Sequence, residues 1–286
     1  MDDEMLQYLQ GMAWQLCLLA GLAVVFTLLA FLSRGRSALH WPKSLRQSAL
    51  TNYLLVQFSS LNGAIYVVLI VPLSAAYTAL GLPVIQSEVW AGQPIWLKGL
   101  IALLVYDFGL YWAHRFLHTS WLWPSHAVHH SDPELHFLSW SRGHFTEQLV
   151  IAAALVFATS WLGFGLEEVA GLVLIKALHQ HYVHARLDWD HGIFRDLIVS
   201  PQFHRWHHAN VAEAYDKNFA SIFPFYDRLF GTYYNPGSAI DVPTGIADNP
   251  PNDFVTQTLY PFREWARMLK TWRAEQQGRA AARRPA

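Results

Sequence analysis

The sequence predicts an all-α protein, a multi-pass transmembrane helical bundle with a cytosolic helical cap that carries clustered histidines. Three observations support this fold class. Of the 286 residues, 53% are apolar and only 14% are charged, whereas about 25% are charged in a typical soluble domain. Several uncharged runs are long enough to form membrane helices. Fourteen of the fifteen histidines lie between His114 and His208.

The N-terminal region, residues 1–94, is predicted to contribute transmembrane helices. Residues 12–32 are uncharged, which makes this run long enough to cross about 30 Å of hydrocarbon as a helix. Residues 49–80 form a second uncharged run that contains Pro72. Because proline kinks or ends a helix, this run fits either one kinked helix or two tightly turned helices.

The central region, residues 95–234, is predicted to be the catalytic histidine-box domain. Its first run, residues 95–113, forms a third membrane helix that contains Asp107. Two shorter apolar runs meet at Gly163 and predict a membrane hairpin over about 148–184, which need not cross the bilayer fully. The histidines outside these runs belong to the cap.

Basic residues in the short loops set the expected orientation of the chain. Four of them follow the first run, at Arg34, Arg36, Lys43 and Arg46. We therefore expect the N-terminus outside and a multi-pass integral membrane protein with its active site on the cytoplasmic side. The net charge of −1 gives no reason to expect nucleic acid as a partner.

The C-terminal region, residues 235–286, is predicted to be a loop, an amphipathic helix and a basic tail. Within residues 262–273, Phe262, Trp265, Leu269 and Trp272 share one helical stripe, and the basic residues lie elsewhere. Two interpretations remain open: a helix that lies on an anionic membrane surface, or a helix that packs on the cytoplasmic domain. The tail after Gln276 is expected to be disordered.

The histidines fall into regularly spaced motifs. An HxxxH motif begins at His114, and HxxHH motifs begin at His126 and His204. Residues three and four apart share one helical face, so their imidazoles are expected to reach one metal ion. The remaining histidine of each HxxHH motif points to a neighbouring position. Eight to ten imidazoles exceed what one divalent ion binds, so two ions are indicated.

The chemistry of imidazole restricts the metal without naming it. Imidazole suits zinc, copper, iron and nickel. A catalytic zinc normally takes about three protein ligands, and the chain has no HExxH motif. Redox-active iron better explains two nitrogen-rich sites in a membrane protein. The alternative is a zinc-dependent membrane hydrolase or isomerase that acts on lipid, and a metal transporter is a further rival.

Asp107 is the other residue that the pattern singles out, because a carboxylate inside an apolar membrane helix is costly and usually functional. Asp107, Tyr111, His114 and His118 follow one helical face. Asp107 or Tyr111 is therefore predicted to hydrogen-bond a ligand imidazole and orient it. The alternatives are a structural ion pair of Asp107 with Arg115 or Lys98, and simple packing of Tyr111.

At these residues the sequence resembles the fatty acid hydroxylase / sterol desaturase superfamily of integral membrane di-iron enzymes. The matching segments are DFGLYWAHRFLH (107–118), LWPSHAVHHS (122–131), SPQFHRWHH (200–208), DKNF (216–219) and DRLFGT (227–232). They cover about 107–232 and all the motifs described above. The order and spacing of three histidine boxes make the resemblance specific.

The resemblance implies two iron ions, with zinc able to occupy the sites in prepared protein, and O2 as co-substrate. It implies hydroxylation or desaturation of a lipid, with electrons from an external reductase, ferredoxin or cytochrome. The lipid is left open among sterols, acyl chains, alkyl ethers and carotenoids. The ligands carried over from the superfamily are His114, His118, His126, His129, His130, His204, His207 and His208.

A further pair of ligands is implied upstream of the last histidine box. His184 fits one position, and His179 and His181 compete for the other, for which His181 is chosen. His144 is expected to line the pocket or support a ligand. His136 is assigned no role, and His40 and His191 are expected in surface loops.

Overall fold

The computed structural model describes residues 3–40, 43–61, 63–164 and 166–282, and the regular structure of these residues is helical. An isolated β-bridge joins Ala209 and Thr244. The α-helices are α1 (Asp3–Arg34), α2 (Lys43–Leu61), α3 (Gly63–Ala79), α4 (Ser87–Trp90), α5 (Ile95–Leu117), α6 (Trp123–His130), α7 (Phe145–Leu162), α8 (Leu166–Val183), α9 (Pro201–His207), α10 (Phe225–Leu229) and α11 (Phe254–Ala282).

Three helical segments among the described residues are long and apolar enough to cross a membrane. They are Leu16–Leu39, Ile95–Leu117 and Phe145–Leu162. Many of their large apolar side chains are exposed, which is typical of helices that face lipid. The uncharged run 49–80 divides between α2 and α3, in agreement with the two-helix alternative, and Ile70–Ala79 is a shorter apolar segment.

The membrane helices α5 and α7 share an apolar core with α8, formed by Ala102, Tyr106, Leu110, Ala158, Leu162 and Leu172. Small residues bring the backbones of α5 and α7 close together, because a Cβ on Gly109 would lie only 3.4 Å from the Ala154 carbonyl oxygen. Helix α7 ends at Gly163, which has a φ of +67°, a conformation that suits glycine. This packing fixes the position of the C-terminal part of α5, where His114 lies.

Helix α11 is longer than the sequence suggests. It continues to Ala282, whereas the chain after Gln276 was expected to be disordered. The alanines after Arg279 explain the difference, because alanine has the highest helix propensity of all residues. The last residues of the predicted basic tail, 283–286, lie outside the described residues.

A candidate metal centre of nine histidines

Nine buried or nearly buried histidines form two adjacent groups. The first group consists of His114, His118, His126, His130 and His207, and the second group of His129, His184, His204 and His208. Within each group the ligand nitrogens all lie within 4.8 Å of one another. The two groups are in contact, since the rings of His130 and His208 stack with centroids 4.4 Å apart.

The two HxxHH motifs exchange one histidine between the groups. In α6, His126 and His130 belong to the first group, and His129 reaches the second. In α9 and its C-cap, His204 and His208 belong to the second group, and His207 reaches the first. The two histidines four residues apart therefore belong to one group, and the histidine at i+3 belongs to the other group. The sequence instead suggested that histidines three and four residues apart bind the same ion.

Outward hydrogen bonds orient the imidazoles of the first group. The Nδ1–H groups of His114 and His207 donate to the carbonyl oxygens of Phe219 (2.8 Å) and Lys217 (2.7 Å). His118 Nδ1 lies 3.1 Å from a carboxylate oxygen of Asp216. Because a carbonyl oxygen only accepts, these bonds fix the proton on Nδ1 and leave the Nε2 lone pair facing the centre of the group.

The second group has fewer such bonds among the described residues. His184 Nδ1 donates to the Gln180 carbonyl oxygen at 2.7 Å. The Nδ1 atoms of His129, His204 and His208 are buried and have no hydrogen-bond partner in the described part of the chain. The orientation of these three rings therefore depends on packing and on the contacts of their Nε2 atoms more than on bonds to Nδ1.

Inward-facing nitrogens approach one another closely. His114 Nε2 lies 3.0 Å from His126 Nε2, and His204 Nε2 lies 3.0 Å from His184 Nε2. The Nε2 atoms of His118 and His207 are buried without a hydrogen-bond partner among the described residues. Converging lone pairs repel unless a cation lies between them. A metal about 2.1 Å from each nitrogen places neighbouring ligands roughly 3 Å apart, so the donor set fits a metal ion in each group.

Burial keeps these ligands in the form that binds metal. Burial first, and the neighbouring imidazoles second, lower the pKa well below the usual value for His126, His130, His204 and His208, and likewise for His129 and His207. Burial also lowers the pKa of His118, although Asp216 partly opposes this shift. Neutral imidazoles are therefore present at neutral pH, as metal coordination requires.

Glu147, which no sequence motif predicted, supports the metal centre from the first turn of α7. Its Oε1 lies 3.2 Å from Nδ1 of His126, within ion-pair distance but without hydrogen-bond geometry, and both side chains are buried. A carboxylate on the outer nitrogen of a ligand imidazole orients the ring and raises its basicity. Glu147 lies two residues before the apolar run that begins at Leu149, so it lacks the signal that singled out Asp107, a carboxylate inside an apolar run.

Asp107 supports the metal centre indirectly, through a loop that bonds His114. It accepts hydrogen bonds from the backbone N–H groups of Ser221 (3.1 Å), Ile222 (3.0 Å) and Phe223 (2.7 Å). The sequence instead predicted that Asp107 bonds a ligand imidazole directly, or that it forms an ion pair with Arg115 or Lys98. The three N–H groups belong to a loop that returns to α5, and this loop presents the Phe219 carbonyl oxygen to His114.

A second buried carboxylate, Asp227, completes the support of this loop. It accepts the N–H groups of Phe219 (2.7 Å) and Ala220 (2.9 Å) and the Thr232 hydroxyl (2.6 Å). Tyr111 joins the same network through a 2.9 Å bond between its hydroxyl and that of Thr232. The predicted bond from Tyr111 to a ligand is therefore replaced by an indirect link.

His181 and His144 lie apart from the two groups. His181 Nδ1 donates to the Phe137 carbonyl oxygen at 2.8 Å, and its ring packs against Trp140. His144 caps the start of α7 and its Nε2 bonds the Thr258 carbonyl oxygen at 3.1 Å. His179, the competitor of His181, bonds the Val199 carbonyl oxygen at 3.2 Å. All three imidazoles bond backbone carbonyl oxygens and belong to neither histidine group.

A buried polar network fastens the end of α6 to the surrounding elements. The Arg142 guanidinium donates to the Val128 carbonyl oxygen (3.0 Å), to Asn52 (3.0 Å) and to Asn252 (2.8 Å). Burial alone would raise the pKa of Asp132, but Arg142 and hydrogen-bonding neighbours such as Asn52 hold it below its usual value. Two opposite buried charges thus position the helix that carries three histidines.

A cavity of about 770 Å³ opens beside the first group. His118, His130 and His207 form part of its wall, and the Trp123 ring packs at a tilt against the first two of these rings. The remaining wall is mixed and includes Tyr215, Asp216, Asp248, Tyr260, Glu264 and Arg267. The cavity gives a small organic group access to the histidines.

Comparison with known proteins identifies relatives of this chain. Residues 99–232 match the profile of the family described as fatty acid hydroxylase. The ornithine lipid hydroxylase of Rhizobium tropici is 29% identical over 67% of this chain and 58% of its own length. The alkylglycerol monooxygenase of Danio rerio is 32% identical over 46% of this chain and 30% of its own. A very-long-chain aldehyde decarbonylase of Oryza sativa subsp. indica is 31% identical over 49% and 54%.

These alignments cover part of each relative. The chain spans 58% of the length of the ornithine lipid hydroxylase and 30% of that of the alkylglycerol monooxygenase. No solved structure matches the chain.

Proposed function

We propose that the chain, whose residues 99–232 match the family described as fatty acid hydroxylase, belongs to that superfamily and is a membrane-bound non-haem di-iron oxygenase that hydroxylates a lipid. The observation that carries the proposal is the pair of adjacent histidine groups beside an accessible cavity, at the ends of membrane helices. The proposed reaction consumes O2, two electrons and two protons and inserts one oxygen atom into a C–H bond, while the other oxygen atom leaves as water.

Nine histidines are the proposed ligands, five for one ion and four for the other. His181 is left out of this set because it lies outside both groups. When bound, iron supplies the redox chemistry with O2 that the oxidation of an unactivated C–H bond requires.

The protein's own residues orient the site and limit its contact with water. Asp216 and the carbonyl oxygens of Lys217 and Phe219 hold three imidazoles in the tautomer that binds metal. Burial of the remaining ligands limits side reactions by excluding bulk water. The cavity admits the substrate from the side of His118, His130 and His207.

A lipid substrate is proposed because the relatives named above are lipid enzymes and this chain has membrane helices. Electrons are proposed to come from a separate reductase, ferredoxin or cytochrome on the cytoplasmic side. Loss of two hydrogens instead of gain of oxygen would identify the chain as a desaturase of the same chemistry.

Mass spectrometry of lipid extracts tests the proposal. A host that lacks the gene is compared with the same host that expresses the wild-type protein or the His129→Ala variant. We expect a lipid species heavier by one oxygen with the wild-type protein alone. Unchanged lipids under reducing, aerobic conditions, with both metals bound, would contradict an oxygenase. Metal analysis separates this proposal from a zinc-only hydrolase, which would work without O2.

A further inference from the structure

Helix α11 exposes an apolar stripe. Val255, Leu259, Phe262 and Leu269 are 60%, 40%, 44% and 41% exposed. Their spacings of four, three and seven place them on one helical face, and the half-exposed Trp272 lies beside them. Trp265, which the sequence pattern assigned to the same stripe, packs inward and donates its indole N–H to the Trp121 carbonyl oxygen at 2.7 Å.

Contacts next to the ends of two membrane helices place α11 at the level where the apolar spans end. Trp121 lies four residues beyond Leu117, the end of the span in α5. At the start of the span in α7, the rings of Phe262 and Phe145 lie 6.0 Å apart. The end of α5 and the start of α7 are on the same side of the bundle, so α11 runs along one boundary of the membrane-spanning part.

The charges on α11 complement an anionic surface. Between Phe254 and Arg279 the helix carries five basic and two acidic residues. Arg263, Lys270 and Arg273 are exposed near the apolar stripe, whereas Arg267 is paired with Glu264 at 2.5 Å. Exposed cations beside a half-exposed apolar stripe are the pattern of helices that lie in the interface of anionic bilayers.

We propose that α11 lies in the plane of the membrane interface, with its apolar stripe at the acyl boundary and Arg263, Lys270 and Arg273 on anionic phospholipid headgroups. The opposite face supplies Tyr260, Glu264 and Arg267 to the cavity beside the histidines. The same helix therefore holds the mouth of that cavity at the level of the lipid headgroups. This inference is independent of the reaction proposed above.

Spin labelling of the whole protein tests the position of α11. Cys17 is the only cysteine of the chain, so a Cys17→Ser background accepts one new label. Leu269→Cys carries the label on the stripe, and Thr271→Cys, on the other side of the same helical turn, is the matched control. The proteins are placed in nanodiscs of phosphatidylcholine with phosphatidylglycerol, and collision rates with O2 and with a water-soluble nickel chelate are measured.

We expect the label at position 269 to favour O2 severalfold over the nickel chelate and the label at position 271 to show the reverse. Adding Arg263→Gln, Lys270→Gln and Arg273→Gln, or omitting phosphatidylglycerol, is expected to reduce this contrast. Equal nickel access at both positions would show a helix in water and overturn the proposal. A label at 269 that neither reagent reaches would overturn it too, because a protein partner or a second copy would then cover the stripe.

Discussion

At the scale of single residues, four of the nine imidazoles bond the protein through one ring nitrogen and leave the other nitrogen free to bind a metal ion. In the first group the Nδ1 atoms of His114, His118 and His207 are held by a backbone carbonyl oxygen or a carboxylate, and their Nε2 atoms face the interior. A histidine fixed in this way loses little rotational freedom when a metal binds, which favours tight coordination. His181 shows the contrast, because its Nδ1 is held by a carbonyl oxygen but it belongs to neither group.

A pair of variants on the C-terminal part of α8 and its cap separates ligand from neighbour. His184→Ala is expected to remove about one metal equivalent and to abolish turnover, because it deletes one of the four donors of the second group. His181→Ala is expected to keep both metals and substantial activity. Metal content of the purified proteins is the measurement. A loss of metal in His181→Ala equal to that in His184→Ala would restore His181 as a ligand.

Glu147 is predicted to tune the first group through His126. Glu147→Gln keeps the size of the side chain but replaces the carboxyl group that lies 3.2 Å from Nδ1 of His126 by an amide. Loss of such a contact typically lowers metal affinity or activity by about 10- to 100-fold. Competition with a chelator measures the affinity, and the exposed Glu213→Gln is the control. An unchanged affinity would show that the carboxylate only fills space.

At the scale of elements, the ligand helices are short and depend on their ends. Helix α9 has seven residues and starts at a Ser200 cap, whose hydroxyl accepts the Phe203 N–H at 3.1 Å. The loop that follows contains Asp216 and Asn218 with φ of 56° and 60°, a region that these residue types tolerate best. Asn218 bonds the backbone of Phe203 and Tyr234, and so ties the loop to α9.

The loop at 219–223 is predicted to be a stabilising element that depends on Asp107. Asp107→Asn replaces one acceptor oxygen by an NH2 group and leaves at least one buried backbone N–H unpaired. The expected cost is about 2 kcal/mol, seen as a Tm lower by several degrees. Asp196→Asn, which breaks an exposed pair with Arg228, is the control and should change the Tm little. Equal Tm values for both variants would contradict the role of Asp107.

The sequence predicts the helices and the residue type of the ligands far better than it predicts the distribution of these ligands between the two groups. Periodicity and composition predict the membrane helices, and the HxxHH spacing predicts the histidine clusters. The exchange of His129 and His207 between groups depends on how α6 and α9 face each other, which no local spacing encodes. The carbonyl oxygens of Lys217 and Phe219 are invisible to sequence patterns, because every residue has one and only the fold directs it.

At the scale of the whole molecule, the metal centre joins elements that are distant in sequence. The first group takes ligands from α5, α6 and α9, and the second from α6, from the residue after α8, and from α9 with its cap. Metal ions at these positions would act as cross-links between membrane helices and cap. The buried imidazoles are unfavourable neighbours without a cation, because their lone pairs converge.

Metal removal is therefore predicted to destabilise the whole protein rather than the cap alone. A ligand that binds only the folded state stabilises it by RT ln(1 + [L]/Kd), about 4 kcal/mol at a thousandfold excess over Kd. Chelation of the purified protein should lower the Tm by several degrees, and added Fe²⁺ should restore it. The same treatment of a His129→Ala/His207→Ala double variant, which lacks one ligand from each group, should change the Tm less. A wild-type Tm that stays constant while metal analysis shows complete removal would mean that the fold holds the nine imidazoles together without help from the ions.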